Sequence, residues 1–167
     1  MPHPLSSLGI AHTAISLLPL GAGLYSLARF GTIEPSARSG RVYAVGMVLS
    51  VLTAFGLSST GKFNAGHALG ILALLVMVGA WSVPRLQFLG RARTYLATLG
   101  WSFSFFLLLV PGINETLSRL PPSRPLANGP DSPLVRGTLL AWLVVFVVGY
   151  AWQARTLYRL RSGAMQR

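Results

Sequence analysis

Apolar residues run through this chain in long blocks that carry almost no charge. Five blocks stand out, over about residues 5–28, 42–59, 66–83, 95–110 and 134–153. Most reach the about 20 residues that a helix needs to span the hydrocarbon of a bilayer. The fourth is the shortest and must borrow flanking residues or tilt beside its neighbours. The runs lack the period-two alternation of outer-membrane barrel strands and exceed such strands in length. A helix also satisfies its backbone polar groups within one segment, which lipid demands. The pattern predicts an all-α integral membrane bundle, one transmembrane domain of five helices covering residues 1–167.

Composition agrees with that reading. The chain is 52% hydrophobic and 10% charged, where soluble domains carry about a quarter charged residues. Absence of cysteine excludes disulfides, thiolate catalysis and Cys-ligated zinc or iron-sulfur sites. Only MPHP precedes the first block, without Lys or Arg and without a clear cleavage site after it. A retained helix is expected there in preference to a removed signal peptide.

The basic residues orient the bundle. Ten of the 14 (Arg29, Arg38, Arg41, Arg85, Arg91, Arg93, Arg155, Arg159, Arg161 and Arg167) fall on one side when loops alternate, against Lys62, Arg119, Arg124 and Arg136 on the other. The positive-inside rule then places the N-terminus outside and the C-terminus in the cytoplasm. The expected location is the inner (plasma) membrane, crossed several times. A net charge of +11 does not point to nucleic acid, because the arginines are spread over three membrane edges without a soluble module to form a groove. The tail around Tyr150, Trp152 and Tyr158 reads as an interfacial anchor attracted to anionic lipid heads, with an acidic partner as the other reading.

The longest connection, residues 112–135, holds five of the 11 prolines. It predicts an outer loop, either an ordered cap, a docking loop or a plain connector, with at most a short helical piece near residues 114–120. Pro19, Gly21 and Gly23 predict a kink or loosening of the first helix. Gly66 and Gly70 form a GxxxG pattern, suited to packing within the bundle or to a homo-oligomer face.

Candidate chemistry is sparse. His12 and His67 lie near the outer ends of the first and third helices, with depths less than roughly 10 Å apart at a 1.5 Å rise. Glu115 falls on the same side, near Asn64 and Asn114, and His3 sits on the outer tail. His12, His67 and Glu115 are the ligand types of a zinc, copper or non-haem iron site, and two facing imidazoles suit haem. Each polar group bonding a neighbouring helix or interfacial water is the simpler account. A proton-handling or quinone-facing role is the third.

The order of His12, then GRVYAVGMVLSVLTAFGLSSTGKFNAGHALGILALL, then NETLSRLP resembles a family of bacterial predicted membrane proteins catalogued as domain of unknown function 2306, over about residues 10–121. The resemblance rests on Gly40-Arg41-Val42-Tyr43, Gly66-His67 and Glu115. It implies a small helical bundle with histidines at helix ends and no established reaction. Members often carry a His-Arg pair before the GRxY motif and another histidine before the fourth helix, where this chain reads PSARSGRVY and FLGRARTYL. A complete electron path across the bilayer is therefore not expected from this chain alone.

No nucleophile elbow, P-loop, dinucleotide fingerprint or paired carboxylates appear, and the acids are only Glu34, Glu115 and Asp131. Helix centres offer only Ser, Thr, Gly and Pro to a transported solute. Two expectations remain. One is an accessory or assembly subunit of a larger membrane complex, with WSFSFFLLL facing lipid, pigment or partner helices. The other is a metal- or haem-binding redox protein using His12 and His67.

Overall fold

A computed structural model describes residues 7–57 and 63–164. Their order is α1 (Ser7–Phe30), α2 (Arg38–Phe55), α3 (Ala65–Ser82), α4 (Ala92–Arg119) and α5 (Pro133–Ala164), with 3-10 turns at Val83–Arg85 and Gln87–Leu89. The described residues contain no strand. His3, Lys62 and Arg167, and the predicted helical residues 5–6 and 58–59, lie outside them.

Four of these helices, α1, α3 with its following turn, α4 and α5, are long and apolar enough to cross a membrane. α2 is not among the four. It opens on Arg38 and Arg41 and carries Tyr43, Gly46 and Ser50, but these last three are buried. Arg38 and Arg41 lower its hydropathy, and its polar and small side chains turn toward α1 and α4 while Val42, Val45, Leu49 and Leu52 stay exposed on the opposite face. Tyr43, fully buried, shares a 2.7 Å hydrogen bond with Ser104 on α4. Toward α1, Ser26 donates to Ser39 (2.8 Å) and Ser16 pairs with Ser50 (2.6 Å).

Small residues set how closely the helices approach. A Cβ at Gly46 would lie 2.8 Å from the ring of Pro19, and one at Gly23 would lie 2.6 Å from Phe105. Both are too close for a side chain. Pro19 is buried within a continuous α1, so the expected loosening becomes a packing contact. At Gly40 a Cβ would stand 1.9 Å from the Glu34 carbonyl oxygen, because the α1–α2 turn folds back onto that glycine. Gly100 does the same for α3 and α4, against Ala80 at 2.7 Å.

α4 differs most from the sequence expectation. It is not the shortest helix but runs 28 residues, through Pro111 and Gly112 to Arg119. The predicted loop therefore loses its first turns to α4, and Glu115 sits on the helix, paired with Arg119 one turn on. Pro111 costs one backbone bond, which neighbouring helices make tolerable in an apolar setting. The i,i+4 acid–base pair favours helix beyond it. α2 begins four residues earlier than expected and α5 continues to Ala164, since apolar blocks mark hydrocarbon crossings and not the charged turns beyond them.

The WSFSFFLLL run also faces inward. Trp101 and Phe105 belong to the core with Tyr43 and Met47. Phe103 and Phe106 stack with each other and meet Trp142 and Phe146 of α5. Trp142 Nε1 donates to the Phe106 carbonyl at 3.1 Å. At the end where α1 finishes, Gln153 Nε2 donates to the Gly31 carbonyl (2.7 Å) and Arg161 to that of Arg91 (3.1 Å). These bonds bring the C-terminal half of α5 to the arginine-rich end of the bundle.

Candidate functional site

The two predicted histidines meet the same turn of α2. His67 is the third residue of α3, and its backbone N–H donates to the side chain of the N-cap Asn64 (3.1 Å). Its ring returns the bond: Nδ1 accepts from the Asn64 N–H at 3.3 Å, completing a reciprocal capping box. On the far side of the ring, Nε2 lies 3.2 Å from the Ala54 carbonyl oxygen. A carbonyl only accepts, so Nε2 carries the proton and Nδ1 keeps the lone pair that Asn64 uses. The imidazole is neutral, 5% exposed, and stacked on Phe55 with ring centroids 4.7 Å apart and planes 4° apart. Phe63 covers it at 5.6 Å.

His12 approaches α2 from α1. Its Nδ1 lies 2.9 Å from the Thr53 hydroxyl, and Thr53 donates to the carbonyl of Leu49 (2.9 Å) or Ser50 (3.0 Å). With that hydroxyl proton spent on the backbone, His12 is the donor to Thr53. Nε2 has the weaker partner, Ser16 at 3.5 Å, and Ser16 is drawn to Ser50. His12, Ser16, Ser50 and Thr53 form a polar ladder between α1 and α2. Their spacing places two polar residues on the facing side of each helix, one turn apart in α1 and three residues apart in α2.

The shared depth expected of His12 and His67 is therefore present, since their partners Thr53 and Ala54 are consecutive. A shared metal is not offered. Among the described residues no three of His, Cys, Asp or Glu gather as a metal-holding group. His67 has no free lone pair, and Glu115 is committed to Arg119 while mostly exposed. A haem or metal ion at His67 would have to break either the capping box or the bond to Ala54. The residues present do not fit such a group.

Gly66 and Gly70, the candidate oligomer face, are used unequally. Gly70 lies against Val51 of α2, where an added Cβ would stand 3.0 Å from the Val51 Cγ1 methyl, whereas a Cβ at Gly66 would meet only Asn64. Close packing within the chain thus takes up half of the pattern.

Two features were missed by sequence reasoning. Asn114 Oδ1 and Ser118 Oγ, one turn apart on α4, are buried without a hydrogen-bond partner among the described residues. The i,i+4 spacing of polar residues in a segment read as loop was the available signal. The second is α5. From residue 136 to residue 162 it has no buried position, and it leans chiefly on α4. Leu140, Val144, Val148 and Trp152 are all more than half exposed, Trp152 at 75%.

Comparison with family models, curated proteins and solved structures finds no match to this chain.

Proposed function

We propose that this protein is an accessory or assembly subunit of a larger membrane complex, docking through the outer face of α5. The observation that carries the reading is the uncovered length of that helix, whose apolar face no other part of the described chain occupies. Helices associate in lipid where small residues allow close approach. Gly137 and Ala141 supply such a place at the start of the exposed face, and Gly137 has open space around it.

In this reading the chain crosses the inner membrane five times, α2 included, with the N-terminus outside. Support comes from the arginines, concentrated at the end where α1 finishes. The resemblance to domain of unknown function 2306 belongs to the same proposal. Its Gly40 and Tyr43 are the residues that pack the α1–α2 turn and the α2–α4 contact, so the motif reads as bundle architecture. A redox role at His12 and His67 is less well supported, because His67 spends both ring nitrogens on its own chain.

Extraction in mild detergent tests the proposal. An accessory subunit migrates as a defined assembly larger than its own 17.9 kDa chain in detergent, without a Soret band or stoichiometric metal. A coloured or metal-loaded monomer would favour the redox reading.

A further inference from the structure

Between α1 and α2, toward the arginine-rich end, Leu18 of α1 and Arg41, Val42, Val45, Gly46 and Leu49 of α2 line an open groove of about 280 Å³. Its floor is Gly46, held against Pro19. The walls are aliphatic, and the one charge is Arg41 at the arginine-rich end. Among the described residues the Arg41 guanidinium has no ion pair: the two ion pairs are Glu115–Arg119 and Asp131–Arg136. Glu34, the acid at that end of the bundle, is engaged by Ser36.

We infer that this groove holds one acyl chain of an anionic phospholipid, with Arg41 taking the phosphate. The dimensions match. Arg41 to Leu49 spans eight residues, about 12 Å of helix at 1.5 Å per residue, against the about 15 Å half-thickness of a bilayer's hydrocarbon. A basic residue at the head of an aliphatic track complements a lipid in both charge and polarity along its length, with the guanidinium matched to phosphate oxygens. A partner helix would need an acid of its own placed against Arg41, whereas an anionic phospholipid brings the charge and the apolar chain together. The inference rests on α2 lying in the bilayer and is independent of what covers α5.

Native mass spectrometry of the detergent-solubilised protein, given equal amounts of dioleoylphosphatidylglycerol and dioleoylphosphatidylcholine, tests it. Wild type retains one phosphatidylglycerol in preference. Arg41→Gln lowers that preference about fivefold, the worth of one basic residue at an anionic surface, whereas Arg41→Lys and the distant Arg119→Gln leave most of it. Val45→Trp, filling the groove from an exposed position, reduces retention of both lipids with helicity unchanged by circular dichroism. Equal retention of the two lipids by wild type, or retention that neither Arg41→Gln nor Val45→Trp alters, overturns the assignment. Release of a bound protein by Val45→Trp, with lipid retention unchanged, gives the groove to a partner helix and overturns it equally.

Discussion

The imidazole of His67 lies flat on Phe55, 4.7 Å between centroids, while its two nitrogens bond the chain on either side, at Asn64 and Ala54. One residue therefore caps the start of α3 and ties it to the end of α2. Capping and helix pairing account for a histidine at the start of this apolar helix.

His67→Ala removes the capping return bond, the bond to Ala54 and the stack. The expected cost is about 1–3 kcal/mol, combining a cap with a polar pair in an apolar bundle. Asn64→Ala loses the cap alone and costs about 1 kcal/mol. Unfolding titration in mixed micelles measures both, and a His67→Ala variant as stable as wild type would refute the packing role.

Much of this arrangement was legible beforehand. Apolar blocks located all five helices, and alternating helix direction placed His12 and His67 at one depth. What they bond was not legible, because Thr53, Ala54 and Phe55 become their partners only through the rotation of α2 about its axis. That rotation is set by Pro19 on Gly46 and by Tyr43 on Ser104. The length of α4 was misread for a different reason. Pro111-Gly112 is a strong stop signal in water, but packing and the Glu115–Arg119 pair carry the helix past it.

Gly40 and Gly137 provide a contrasted pair. An alanine Cβ at Gly40 meets the Glu34 carbonyl at 1.9 Å, whereas at Gly137 nothing lies within 4 Å. Gly40→Ala should destabilise the fold by about 1–3 kcal/mol through overpacking. Gly137→Ala should be neutral or stabilising by up to about 1 kcal/mol through helix propensity. The same unfolding titration distinguishes them.

Ser118 Oγ is buried without a partner among the described residues, so removing it costs no hydrogen bond. Ser118→Ala is expected to leave stability unchanged or raise it by about 1 kcal/mol. A loss of that size in the titration would mean that the hydroxyl has a bonding partner in the membrane-embedded protein.

Orientation is read by labelling single cysteines, which the cysteine-free chain allows without background. A cysteine at Ser123, in the connection between α4 and α5, should react with a membrane-impermeant maleimide from outside intact cells. One at Ser36, in the α1–α2 turn, should react only after the membrane is opened. The reverse pattern inverts the topology.

The most direct test of docking through α5 is photocrosslinking in the intact membrane from Val144 and Val148, both more than half exposed, with Val51, buried between α2 and α3, as the control. Docking through α5 should give a discrete protein adduct from Val144 and Val148, identified by mass spectrometry, absent from the control and lost when Ala141 is replaced by Trp. Adducts with lipid alone from Val144 and Val148, from protein that extracts as a monomer, would contradict it.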